Sequence, residues 1–103
     1  MIIVKVTYTV KEGFAAENQE NIKLFLDDFK RMESSDFSYK VYLCQDGKTF
    51  VHLSHHQNEE IQKQVLAVES FLSFQRKRDE SGLETQPEIE VMRLVGSTHE
   101  IFN

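Results

Sequence analysis

Three histidines, His52, His55 and His56, close the run that begins at Lys48 and reads Lys-Thr-Phe-Val-His-Leu-Ser-His-His. Imidazole is the side chain whose ordinary pKa, about 6.5, lets it exchange a proton near neutral pH, so general-base work is the first chemistry to weigh. Side chains alternate along a strand, which puts Phe50, His52, Ser54 and His56 on one face and Thr49, Val51, Leu53 and His55 on the other. His52 and His56 then lie about 13 Å apart at ~3.3 Å per residue, and His55 points the opposite way. No two of them can chelate one metal ion from this strand, and no metal site is expected. A single base is expected instead: His56 and His52 are the candidate catalytic residues, against the plainer alternative of hydrogen-bonded histidines at a strand end.

Both faces of this strand mix apolar and polar groups, so both should be covered, with one cover enclosing something polar. That enclosed space is the candidate pocket. Asn18 could reach it and orient a carbonyl or hydroxyl, or sit at its wet rim near a helix start. Tyr8 could line it too, although a core aromatic whose hydroxyl finds a partner is the commoner role. Val6 and Phe71 complete the expected border of a substrate-binding cavity between sheet and helices. Cys44 has no basic neighbour in sequence to lower its pKa and reads as a small structural residue. Asp27-Asp28 and Glu59-Glu60 diverge on a helix and do not form a two-carboxylate site. Arg76-Lys77-Arg78 reads as a solvated helix end, where cations complement the helix dipole.

The elements that must position these residues are legible in order. Ile2, Val4, Val6, Tyr8 and Val10 alternate with Ile3, Lys5, Thr7 and Thr9, giving a first strand whose even face meets the helices. After Gly13 a helix is predicted over about Phe14 to Glu33, with Ala15, Asn18, Ile22, Phe25, Phe29 and Met32 inward. Phe37 to Gln45 reads as the second strand. Asp46-Gly47 before the third strand predicts a hairpin with a type I′ turn. Asn58 should cap a helix carrying Glu59 and Glu60 in its first turn. Its buried stripe is Ile61, Val65, Val68 and Leu72, with Leu66 and Phe71 in support, and a kink near Ala67 to Glu69 would let Ser70 cap a second helical piece that carries Phe71 and Phe74 inward. Pro87 opens a last strand over about Glu88 to Val95. The order, strand, helix, strand, strand, helix, strand, predicts an α+β, ferredoxin-like βαββαβ domain over residues 1–96, with a four-stranded antiparallel sheet and both helices on one face. Residues 97–103 form a tail whose Ile101 and Phe102 dock or fray.

Composition bounds the function. The 103 residues suffice for one domain, with 40% hydrophobic and 28% charged residues. Acidic residues outnumber basic ones 17 to 12, which removes the usual electrostatic basis for nucleic-acid binding. No apolar run approaches the ~18 to 20 residues that cross a bilayer, so no membrane partner is expected. The lone Cys44 excludes an intrachain disulfide and fits a reducing compartment, and a cytoplasmic location is expected.

Nearly the whole chain resembles the antibiotic biosynthesis monooxygenase-like (ABM) domains of the dimeric α/β-barrel superfamily. The resemblance runs from Met1-Ile2-Ile3-Val4 and the Gly13 turn, through Tyr39-Lys40-Val41-Tyr42, Phe50 to His56 and Asn58-Glu59-Glu60, to Phe71 and Pro87-Glu88-Ile89. It implies a homodimer whose sheets pack face to face, and a small aromatic or quinol oxidised by O₂ without any cofactor. A non-catalytic ligand-binding or regulatory dimer is the alternative, because members with demonstrated chemistry often carry an Asn and a Trp where this chain has Val6 and His56. Gln75 stands where the haem-degrading branch needs its histidine, which disfavours haem degradation. The face turned from the helices, with Ile3, Thr7, Val51, Leu53 and His55, is the expected dimer surface: too apolar for water and too polar for a dry core.

Overall fold

A computed structural model describes residues 1–101. It contains four strands and three α-helices: β1 (Ile2–Thr9), α1 (Ala15–Arg31), β2 (Phe37–Leu43), β3 (Thr49–His56), α2 (Glu59–Leu66), α3 (Glu69–Glu80) and β4 (Thr85–Met92), with a 3-10 turn at Glu12–Phe14 before α1. The strands form one antiparallel sheet in the order β2-β3-β1-β4. This is the expected ferredoxin-like βαββαβ arrangement.

The alternation in β3 is realised residue by residue. Phe50, His52, Ser54 and His56 are buried toward the helices, while Val51, Leu53 and His55 stay half-buried on the outer face. The α1 stripe also packs inward as its spacing requires, with Ala15, Asn18, Ile22, Phe25 and Phe29 buried and Asn21 joining them.

Four local expectations differ from what is found. The β2–β3 turn is not type I′, because only Gly47 of Asp46-Gly47 has positive φ, at 76°. Asp46 acts through its side chain instead: Oδ1 accepts from the backbone N–H groups of Lys48 and Thr49, at 3.0 and 2.9 Å, and the Thr49 hydroxyl donates to Oδ2. These bonds hold the Asp46 carboxyl below its ordinary pKa. Second, Ser70 does not cap α3, whose N-cap is the extended Val68, and the Ser70 hydroxyl is buried with no partner. Third, Leu72 and Leu66, expected on or beside the buried stripe, turn outward because the break at Ala67 and Val68 resets the helical phase, while Phe71 and Phe74 go into the core as expected. Fourth, β4 starts at Thr85, before Pro87, and ends at Met92. The β1–β4 register slips between Thr7 and Thr9, so Pro87 sits at an edge-strand irregularity, where a missing N–H is tolerated.

The tail runs back toward the outer face of the sheet. Ser97, His99, Glu100 and Ile101 border a cleft of about 330 Å³ together with Ser38, Lys40 and His55, at the end of the face where Ile3 is 5% exposed. Phe102 lies outside the described residues. Among the described residues, no helix is long and apolar enough to cross a membrane.

Candidate functional site

Sheet pairing sets two tyrosines diagonally beside His52. On β1, Tyr8 faces Phe50 and Val6 faces His52; on β2, Tyr39 faces Ser54 and Val41 faces His52. Diagonal neighbours in an antiparallel sheet are ~7–8 Å apart, within reach of aromatic side chains. The Tyr8 hydroxyl lies 2.8 Å from His52 Nε2, and the Tyr39 hydroxyl lies 2.8 Å from His52 Nδ1. From the first turns of α1, Asn18 Nδ2 donates to the Tyr8 hydroxyl at 3.0 Å. The result is a continuous buried chain, Asn18, Tyr8, His52, Tyr39.

The polarity of this chain follows from satisfying its members. Tyr8 is fully buried, and its hydroxyl has His52 Nε2 as an acceptor. If Nε2 carried the proton, Tyr8 would accept from both neighbours and its own O–H would have nothing to donate to. The consistent assignment has Tyr8 donating to Nε2 and Nδ1–H donating to the Tyr39 oxygen. Tyr39 is half-buried, so its remaining hydrogen lies nearest to solvent.

Helices α1 and α3 close the site from above with rings. Phe74 and Phe25 stack on the His52 imidazole, at centroid distances of 5.3 and 6.1 Å. Phe71 meets Phe25 edge-on at 5.0 Å and lies 5.9 Å from the Tyr39 ring. Arg78, expected to be a solvated cation, is 8% exposed. Its guanidinium carbon lies 5.1 Å from the Tyr8 ring centroid and 5.5 Å from that of Phe74, and its Nε donates to Asp79 at 3.0 Å. The ring faces compensate the charge and solvent contact that burial removes. Arg78 continues the inward stripe of Phe71 and Phe74 at helical spacing, a signal that outweighs the charge run around it.

Burial controls the proton chemistry here. It pushes the His52 pKa down to about 3, and the Arg78 cation pushes in the same direction. Burial raises the Tyr8 hydroxyl well above its ordinary range, only partly opposed by the Asn18 hydrogen bond and by Arg78. Tyr39 is raised by burial, and by Tyr8 beside it. Placing a proton on His52 at pH 7 therefore costs about 5 kcal/mol, at ~1.4 kcal/mol per pKa unit. The chain is neutral from end to end.

The expected pocket residues thus divide into two groups. Asn18, Tyr8 and His52 are brought into one hydrogen-bonded chain, with Val6 half-buried beside His52 on β1 and Phe71 buried near Tyr39. His56 stands apart at the strand end: it is 1% exposed, its ring lies parallel to Phe37 at 6.4 Å, and neither ring nitrogen has a hydrogen-bond partner. Burial and the neighbouring His55 lower its pKa. Among the described residues the rings of Phe25, Phe71 and Phe74 pack against His52 and Tyr39 where the cavity is expected, and clefts open instead between α1 and β2, one of them lined by Leu26, Phe29, Phe37 and Tyr39. Asn18 Oδ1, Asn21 Nδ2 and the Ser70 hydroxyl are also buried without a hydrogen-bond partner. Two members of the site escaped the sequence reading, Tyr39 and Arg78. Tyr39 could have been found from strand parity, because the hairpin places it on the same face as His52.

No family model matches the chain, and no curated protein matches it. Solved structures do. A protein from Nitrosomonas europaea, given as a candidate antibiotic biosynthesis monooxygenase, superposes with a TM-score of 0.78 at 9% identity, over 93% of this chain and 100% of the other. Another candidate antibiotic biosynthesis monooxygenase, from Deinococcus radiodurans, has a TM-score of 0.72 at 16% identity, over 97% and 98% of the two chains. A variant of SnoaB, a cofactor-independent oxygenase from Streptomyces nogalater, also reaches 0.72 at 16% identity, over 96% and 97%. The chain has the ABM-like, ferredoxin-like fold; at these identities the likeness defines the fold and leaves the chemistry to the residues.

Proposed function

We propose that the chain is a non-catalytic, regulatory homodimer that keeps the ABM-like fold and works through its exterior. One observation carries this: His52, the histidine at the centre of the interior, is closed between two tyrosine hydroxyls under packed rings, with its pKa near 3. Oxidation of a quinol by O₂ without a cofactor begins with removal of a hydroxyl proton, and a base here would work against about 5 kcal/mol. The half-buried outer face, with Val51 and Leu53, supports a second copy as its cover, on the ~10 Å spacing of packed sheets.

Cofactor-independent oxidation of a small aromatic or quinol is favoured by a different observation. Asn18 Oδ1 is buried and unpaired at the end of the chain next to Tyr8, an acceptor suited to a phenol hydroxyl, with Val6 and Phe71 as further lining and His52 or His56 as base. Admission of such a ring requires Phe25 and Phe71 to move.

A panel of hydroquinones under O₂ separates the two. Oxygen uptake at background, with no saturable quenching of tyrosine fluorescence, is the expected result. Uptake above background that disappears in His52→Gln or His56→Ala would establish the oxygenase and overturn the proposal.

A further inference from the structure

On the face turned from the helices, the last outward row of the sheet runs Met92, Ile3, His55, Ser38, in register across all four strands. Ile3 in this row is buried, whereas Val51 and Leu53, nearer the middle of the face, stay half-buried. The segment after β4 turns back over the same corner. His99, Glu100 and Ile101 wall its cleft of about 330 Å³ on one side, and Ser38, Lys40 and His55 on the other. That volume is at the small end of the ~300–1,000 Å³ range of small-molecule sites. A local bend shapes the tail-side wall: the Ser97 hydroxyl accepts from the His99 N–H at 3.1 Å and donates to the His99 carbonyl at 2.6 Å, and Thr98 Oγ1 lies 2.8 Å from His99 Nδ1.

The two walls carry opposite charges that do not meet. Lys40 projects from the outer face of β2, as its partner Leu53 requires, and Glu100 belongs to the tail. Among the described residues, no ion pair joins either of them to the other or to a third side chain. Burial lowers the His55 pKa, and the Lys40 cation nearby pushes in the same direction. His55 is therefore neutral at pH 7, and Lys40 is the cation of the sheet-side wall. A ligand with a single negative charge would be drawn to Lys40 and repelled by Glu100, and one with a single positive charge would meet the reverse. A molecule carrying both charges a few bonds apart satisfies both walls at once, and Ile101 offers its apolar part a surface.

We infer that this cleft binds a small zwitterion of the α-amino acid class, its carboxylate toward Lys40 and the Ser38 hydroxyl, its ammonium toward Glu100, and an apolar side chain against Ile101. His55 also belongs to the face proposed above as the dimer surface, so the cleft sits at the margin of that face. The inference rests on the regulatory reading and gives it a ligand.

The test titrates the ¹⁵N-labelled protein with L-leucine, with isocaproate, which lacks the ammonium, and with isoamylamine, which lacks the carboxylate. L-Leucine should give saturable shifts centred on the amides of Ser38, Lys40, His55 and residues 97–101. Each single-charge analogue should bind several-fold more weakly, on the scale of exposed ion pairs. Lys40→Met and Glu100→Gln, both at exposed positions, should weaken L-leucine to the level of the analogues. Exchanging the charges, Lys40→Glu with Glu100→Lys, should restore it, because a zwitterion can turn around in the cleft and a simple anion cannot. No saturable shift with L-leucine, or isocaproate binding as tightly as L-leucine, would overturn the inference and leave the regulatory reading standing. That reading fails separately, on oxygen uptake with the hydroquinones.

Discussion

Removing the Tyr39 hydroxyl would leave the Nδ1–H of His52 with no acceptor, and removing that of Tyr8 would strand both Asn18 Nδ2 and His52 Nε2. A buried group deprived of its partner costs about 1 to 3 kcal/mol. Tyr39→Phe should fall at the lower end, since Tyr39 is half-buried and water can reach the vacated position; Tyr8→Phe should cost more. Urea midpoints at pH 7 check the order, and equal, negligible losses would show that the chain contributes nothing to stability. Sequence alone separates His55 from His52 and His56 by strand parity, but it does not distinguish a free base from a locked one. That depends on which rings arrive from α1 and α3, and the arrival of Phe74 and Arg78 follows from a helix break that shifts the phase of everything after Val68.

Elements defined by a strong local signal were legible, and those whose phase is inherited from a neighbour were not. Strands β1 and β3 announce their faces by alternation, and α1 by its stripe. Asn58 announces α2, where its Oδ1 accepts from the Ile61 N–H at 3.0 Å. Asn58→Ala should therefore cost about 1 kcal/mol, measurable in thermal or urea unfolding, with Asn58→Asp close to wild type. No loss in the alanine variant would mean that packing of Val65 alone holds the helix. The kink and the inward turn of Phe71 and Phe74 were legible, whereas the outward Leu72 and the inward Arg78 were not, because Val68 caps α3 without a side-chain hydrogen bond and leaves no polar marker for its start. The polar face of β3 has a related explanation. A polar residue on a strand face indicates a polar partner, and here the partners are the protein's own tyrosines rather than a ligand.

For the molecule as a whole, the closed interior links stability to pH. In the unfolded chain His52 titrates near its ordinary 6.5, whereas in the fold its pKa is about 3, so the unfolded state takes up a proton first as pH falls. The stabilisation from neutral His52 is complete above about pH 6.5 and is lost progressively toward pH 3; at pH 5 the loss is about 2 kcal/mol. His55 and His56, also lowered, add in the same direction. Denaturation at pH 7 and pH 5 should show a loss about 2 kcal/mol smaller in His52→Gln than in the wild type. The most direct measurement is nuclear magnetic resonance of the ¹⁵N-labelled His52 ring between pH 8 and pH 5, with and without a hydroquinone. A ring that stays neutral and protonated at Nδ1 throughout, unmoved by the hydroquinone, is the result expected of a closed, non-catalytic interior. A midpoint between pH 6 and 7, or a change of tautomer on adding the hydroquinone, would contradict it.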